Sequence, residues 1–361
     1  MELDPRLKLT LPIEEIEPTA LDQIEAALKF PFLKLLAIMP DIHTGYALPI
    51  GAVALLEDHV WPAAVGYDIG CGMCHVTTGM KRSELPDLEE LFKHLSDVIP
   101  VGFHELKTPA KEVTPFYSAS RFAALTDAVM YHAVRQLGTL GSGNHFIEIG
   151  GNKEDTVGIT VHSGSRRSGW LVGDFYMRLT KGPVELRSKI GKAYLKDMKW
   201  CLQYALDNRL KMLQACLKAL GLNPPPQEDI INETHNHAIV TSKGVLHRKG
   251  ATPAQKGQLG IIPANMRDGV WITRGLGNKE FLCSASHGAG RRLSRTAAKQ
   301  LISTSKLKEQ MKGIVYPPFK NTALLDEAPD AYKKIDEVIA RQDGILVDII
   351  DHFAPLLVMK G

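Results

Sequence analysis

Between residues 30 and 80 the apolar positions fall into short runs rather than helical stripes. Leu35–Met39, Gly51–Leu56 and Ala63–Val65 are set off by glycines and prolines, which predicts strands joined by tight turns. Residues 86–98 and 118–137 carry a helical pattern, and Phe146–Ile149 and Thr156–His162 read as further strands. Over 183–222 a long, basic amphipathic pattern predicts helix, ended by Asn223-Pro224-Pro225-Pro226. Its lysines and arginines read as a solvated face in preference to a nucleic-acid-contacting one. Strands resume near Ala238–Val240 and Gly260–Ile262, and helix is expected from Ala289 to about Met311. The elements predict an α+β fold: one large interwoven domain over residues 1–361, with mixed β-sheets packed between helices.

Composition changes this picture little. With 361 residues, 44% of them hydrophobic and 23% charged, the chain can bury a sizeable core and is not a disordered one. A net charge of +3 neither demands nor excludes nucleic acid, since only a local basic face matters. Met1-Glu2-Leu3-Asp4-Pro5 lacks the apolar core of a signal peptide, and no apolar run approaches the roughly 20 residues of a membrane span. Five cysteines, an odd number, suit a reducing compartment. The expectation is a cytoplasmic protein with no membrane partner.

The candidate chemistry is concentrated in short glycine-rich segments. Asp68 and Cys71 share the turn Gly66-Tyr67-Asp68-Ile69-Gly70-Cys71-Gly72, whose glycines allow both side chains to aim at one point. Cys71 and Cys74 also form a Cys-x-x-Cys pair, which by itself reads as a zinc half-site or a redox motif. His145, His162 and His235 each stand at a strand end among small or polar residues. Thiolate and imidazole suit zinc or cobalt while a carboxylate suits manganese or magnesium, so the ligand types specify only a divalent, borderline ion. In Ser286-His287-Gly288-Ala289-Gly290-Arg291 the glycines predict an anion-binding helix start, with Arg291 and Arg295 four apart on one helical face. His287 is the candidate nucleophile, Asp41 the candidate orienter of its ring, and Arg166 and Lys249 are further phosphate-binding cations.

These motifs, taken in order, resemble the RtcB family of RNA ligases. The similarity runs through Pro40-Asp41-Ile42-His43-Thr44-Gly45-Tyr46, Val65–Met73, Gly138–Phe146, His162–Arg166, His235-Asn236, His247–Thr252, His287–Arg291, Ala331–Asp336 and Lys360-Gly361. The resemblance implies two Mn²⁺ ions bridged by Cys71, one completed by Asp68 and His145, the other by His162 and His235. It implies GTP as the second cofactor, held by Asn144, Glu148, Asn236, Asn265, Gly288, Ala289, Gly290 and Lys360, with Tyr332 stacking on the base. The implied reaction guanylylates His287, passes GMP to an RNA 3′-phosphate or opened 2′,3′-cyclic phosphate, and joins that end to a 5′-hydroxyl. The implied partners are RNA with broken ends, from tRNA or rRNA, and an activating protein such as archease. Two positions depart from the family pattern: Asn265 stands where a serine is expected in Pro263-Ala264-Asn265-Met266, and Val270 where a second one is. Alternatives to the ligase are a guanylyltransferase that caps 3′-phosphates without efficient joining, a silent RNA-binding relative, and a metal-dependent phosphodiesterase.

Overall fold

The strands gather into two main sheets that meet at one residue, His235. The computed structural model describes residues 4–120, 122–319 and 323–361, so Met1–Leu3 and, within the expected helix 118–137, Arg121 lie outside the described residues. The larger sheet has seven strands in the order Leu259–Pro263, Val270–Gly275, Val347–Met359, Phe146–Gly151, Thr156–Ser163, Gly72–Lys81 and Ile231–Thr234, all antiparallel. The second has five: Leu7–Leu9, Leu33–His43, Ile50–Leu56, Gly244–Lys249 and Asn236–Thr241, the first pair parallel. Ile231–Thr234 closes one sheet and Asn236–Thr241 closes the other, so the chain crosses between them at His235. The backbone N–H of His235 donates to the Cys71 carbonyl at 2.8 Å, which ties that crossing to the turn carrying Asp68 and Cys71. The α+β fold expected from the pattern holds.

Alternation along the central strands decides which chemistry faces which side. Ile147, Ile149, Val157, Ile159, Val161, Cys74 and Val76 face one core, covered by the helices Leu88–Val98 and Lys189–Ala219. Phe146 and Val358 face the other way. Glu148, two residues on from Phe146, and Lys360, just past the end of Val347–Met359, open on the same cavity as Phe146 and Val358. Thr156–Ser163 is buried on both sides, with Val157, Ile159 and Val161 on the first face and Thr160 and His162 on the other.

The long helix Lys189–Ala219 does more than cover the sheet. Its buried Asn208 accepts from the backbone N–H groups of Gly138 and Thr139 and donates to the carbonyls of Thr139 and Gly164. Next to it, fully buried Arg209 donates to the carbonyls of Gly70 and Ser163, each at 2.9 Å, and to Asn232 Oδ1 at 2.8 Å. Adjacent residues of one helix thus fix the loops ahead of His145, after His162 and before Cys71. Most of the basic residues of this helix lie elsewhere on its surface, but Arg209 belongs to the core.

Two sequence expectations are corrected. Ala63–Val65 is not a strand: Pro62 opens the short helix Pro62–Val65, its fixed φ suiting the first helical position. The helix expected from Ala289 is absent at its start, and the first helical residue there is Arg295, capped by Ser294 Oγ accepting from the Ala297 N–H. No helix among the described residues is long and apolar enough to cross a membrane.

Replacing Arg209 with methionine strands the Gly70 and Ser163 carbonyls without their charged donor. The unfolding free energy is expected to fall by about 3 kcal/mol, since hydrogen bonds from charged groups contribute roughly 1.5–3 kcal/mol each. Urea denaturation measures this, and an unchanged midpoint would remove the clamp from the account of the fold.

Candidate active site

Cys71 Sγ lies 3.4 Å from His145 Nε2 and 3.3 Å from His162 Nε2, and the three donors sit within 4.8 Å of one another. Asp68 Oδ2 extends the group, 3.0 Å from His145 Nε2, and His235 Nε2 extends it on the other side, 3.4 Å from His162 Nε2. The His162 ring is oriented by its Nδ1–H donating to the Asn144 carbonyl at 3.0 Å. Cys71 and the three histidines are buried. Burial pushes His162 and His235 well below the ordinary imidazole pKa, and neighbouring histidines push the same way. Burial, then the charge of Asp68, pushes the Cys71 thiol well above its usual range. For Asp68 burial acts upward, but His145 outweighs it and the carboxyl is held at about 2. Converging imidazole nitrogens and a thiol beside a carboxylate, all within a few ångströms, fit a divalent metal site. Cys74 is not part of it: one residue beyond Met73, it points into the core beneath the sheet, so the structure disfavours the Cys-x-x-Cys reading.

His287 adjoins this group, its ring centroid 4.7 Å from that of His235. Its Nδ1 is 2.7 Å from Oδ2 of Asp41, a residue with no exposed surface, and the same oxygen accepts the His287 backbone N–H at 3.2 Å. A carboxylate accepts, so the ring proton sits on Nδ1 and Nε2 presents its lone pair. Lys333 Nζ holds the Asp41 strand from outside by donating to the Ile42 carbonyl at 2.6 Å. Gly290, at φ +74°, passes over the Asp41 carbonyl where a Cβ would collide with it.

A cavity of about 640 Å³ opens in front of His287. Asn144, Glu148, Asn265, the Gly288–Gly290 turn, Arg291, Arg295, Tyr332 and Lys360 all line it, together with Phe146 and Glu327. Burial pushes the Glu148 carboxyl well above its usual range, and its Oε1 finds no partner among the described residues. That is an unpaired acceptor waiting in the wall. Asn236, by contrast, stands behind the wall: its amide donates to the Asp68 carbonyl and accepts the Gly250 N–H. Arg166 and Lys249 do not line the cavity but lie near Asp68, Arg166 bound to Thr139 Oγ1 and the Gly102 carbonyl, Lys249 to the Val65 carbonyl.

Glu327 is the wall residue that sequence reasoning missed. It is buried and accepts from Lys360 Nζ, Tyr332 Oη and Arg295, each at 2.6 Å, with Arg291 at 3.4 Å. Burial acts to raise its pKa, but Lys360 and then Arg295 overcome it and hold the carboxyl at about 2. Arg291 and Arg295 are therefore not free phosphate forks on one helical face: Arg291 precedes the helix, and both guanidiniums are committed to Asp326 and Glu327. The signal was present in Asp326-Glu327, an acidic pair just ahead of the Ala331–Asp336 motif. Asn265 is likewise engaged, its Oδ1 accepting from the Arg267 and Asp268 N–H groups, and Val270 lies in the core, not in the wall.

The family model described as tRNA-splicing ligase RtcB matches residues 23–126 and 112–361. The chain belongs to the RtcB family. It is 33% identical to the RNA-splicing ligase RtcB of Escherichia coli (strain K12), over 96% of this chain and 95% of that protein. It is 28% identical to the tRNA-splicing ligases RtcB of Pyrobaculum aerophilum and Thermococcus kodakarensis, in each case over 90% of this chain and 87% of the relative. The residues that the RtcB model matches include Asp41, the metal-ligand group, His287 and Lys360.

Two substitutions separate the cysteines. Cys71→Ala is expected to lose bound divalent metal while Cys74→Ala keeps it, read by elemental analysis of protein dialysed against Mn²⁺. Equal loss in both would restore the Cys-x-x-Cys reading. For Glu327 the sign is that of a carboxyl with a depressed pKa: its stabilising contribution is present above its ordinary 4.5 and is lost as pH falls towards about 2. Glu327→Gln should lower stability at neutral pH and flatten the acid limb over that window in a denaturation series from pH 6 to 2. A slope identical to that of the wild type would show that Glu327 is not held ionised.

Proposed function

We propose that the chain is a GTP- and Mn²⁺-dependent RNA ligase that joins a 3′-phosphate or 2′,3′-cyclic phosphate end to a 5′-hydroxyl end. The observation that carries this reading is the His287–Asp41 pair, set in the cavity wall within one ring contact of a metal-capable cluster. Asp68, Cys71 and His145 would hold one ion and Cys71, His162 and His235 the second. When bound, the ions neutralise charge on the transferring phosphoryl group.

The protein groups do the rest. His287 Nε2 attacks the α-phosphorus of GTP, a P–N bond forms, the bridging P–O bond breaks and pyrophosphate leaves with its electron pair. Asp41 keeps the ring proton on Nδ1 and stabilises the cationic imidazole that the attack creates. A phosphate oxygen of the RNA 3′ end then takes GMP, breaking the P–N bond and returning the lone pair to Nε2. The RNA 5′-hydroxyl attacks that activated 3′-phosphate, loses its proton and expels GMP. A cyclic phosphate is first opened by water to the 3′-phosphate. Glu148, with its unpaired oxygen, would accept from the donor edge of the guanine, and Tyr332 and Phe146 supply aromatic walls. Arg166 and Lys249, beside Asp68 and Cys71, add positive charge on the side facing the RNA ends. The cytoplasmic setting, tRNA or rRNA as the broken substrate, and assistance by a protein such as archease belong to the same proposal.

Intact-protein mass spectrometry after incubation with GTP and Mn²⁺ tests it. Wild type should gain one GMP, His287→Ala none, and Asp41→Asn should form the adduct roughly 100-fold more slowly or worse. An adduct retained by His287→Ala would end the nucleophile assignment. No adduct on the wild type would end the ligase reading.

A further inference from the structure

Three aromatic side chains and one guanidinium form a ladder beside the metal-ligand group that neither the fold nor the proposed chemistry uses. Tyr46 lies in the loop between the strands Leu33–His43 and Ile50–Leu56 and is 61% exposed. Its ring meets that of Tyr67 edge-on, with centroids 5.5 Å apart. Tyr67 stacks on Trp170 at 5.5 Å with an interplanar angle of 14°, and Arg167 Cζ sits 3.9 Å over the Trp170 ring. None of the three aromatics belongs to a core cluster among the described residues.

The ladder is placed and held. Tyr46 follows Thr44, which lines the cavity in front of His287, and Tyr67 directly precedes Asp68. Trp170 and Arg167 belong to the helix Arg166–Thr180, which begins three residues after Ser163. That helix packs backbone to backbone against the Tyr67 turn at Gly173, where a Cβ would stand 2.9 Å from the Gly66 carbonyl oxygen and 3.1 Å from Tyr67 Cα. Tyr67 and Trp170 are thus fixed by a turn and a helix, and Tyr46 extends from them on its loop.

We infer that this ladder is the stacking platform for unpaired bases next to the RNA break, with Arg167 capping it. Every base has a π-face, so the exposed Tyr46 ring, backed by the stacked Tyr67–Trp170 pair with Arg167 at its end, can hold single strands without reading their sequence. Tyr46, Tyr67 and Trp170 do not line the cavity, which leaves the guanine walls to Phe146 and Tyr332. The ladder therefore serves the strand being joined and not the nucleotide cofactor. That the ligand is RNA rests on the ligase reading above.

The test uses the full chain without GTP, so that it does not depend on adduct formation. Fluorescence anisotropy would compare a labelled single-stranded RNA ten-mer with a blunt duplex of the same sequence on wild type, Tyr46→Ala, Trp170→Ala and Trp170→Phe. Each alanine variant should bind the single strand at least about fivefold more weakly, while Trp170→Phe binds within about twofold of wild type. Uridine and adenosine ten-mers should respond alike. Because Trp170 is half-buried, melting temperatures accompany the binding data, and exposed Tyr46 gives a variant whose fold is not at issue. Wild-type affinity in a folded Tyr46→Ala and Trp170→Ala would overturn the platform, and so would equal losses for single strand and duplex, which would mark a charge effect. Absence of a GMP adduct on the wild type, measured separately, would instead strike the ligase reading.

Discussion

Three loops carrying the candidate ligands are held by two consecutive side chains of one helix. Asn208 and Arg209 satisfy backbone groups of Gly70, Gly138, Thr139, Ser163 and Gly164, all within a few residues of Cys71, His145 and His162. A buried guanidinium is costly to desolvate, and the two carbonyls and the amide oxygen that Arg209 meets offset part of that cost. The exchange works in both directions: glycine-rich loops that leave carbonyls unpaired in the interior find a donor, and the donor finds acceptors. Without that helix the loops would be too short of partners to hold five side chains to a common centre.

The site divides into two electrostatic halves. Around Cys71 burial pushes His162, His235 and the thiol towards their neutral forms, and this donor set suits a divalent cation. Around Glu327 the situation is the reverse. Lys360, Arg295 and Arg291 surround one buried carboxylate, which lies well below its usual pKa and already answers their charge. The cations of this cavity wall are thus committed to Glu327 and Asp326, and Glu148 keeps an oxygen without a partner among the described residues. His287 stands between the halves, oriented from behind by Asp41 and open in front.

Aromatic residues follow the same division. Phe146 and Tyr332 line the cavity and contact its cations, Lys360 over Phe146 and Arg291 over Tyr332. Tyr46, Tyr67 and Trp170 stand outside it, past Asp68, with Arg167 at their end. The proposed ligase, handling a mononucleotide and a polynucleotide, would need two separate surfaces for bases, and these two groups of aromatics would be those surfaces.

The sequence by itself determined the α+β class, most strands and helices, the family, and the order of the candidate residues along the chain. Those properties are written in local pattern: alternation, glycine and proline positions, and short motifs. It did not determine the helix at Pro62–Val65, where the initiating proline outweighed an apolar run of three, nor the break before Arg295, where Gly290 turns the chain over Asp41. It could not show that Arg291 and Arg295 are spent on Asp326 and Glu327, because an ion pair across some 30 residues leaves no periodic trace. Nor could it separate Asn236, which braces the Asp68 turn, from Asn144, which faces the cavity. Side-chain partnership between distant segments is set by how two sheets meet at His235 and by what one buried helix can satisfy, and only the tertiary structure decides that.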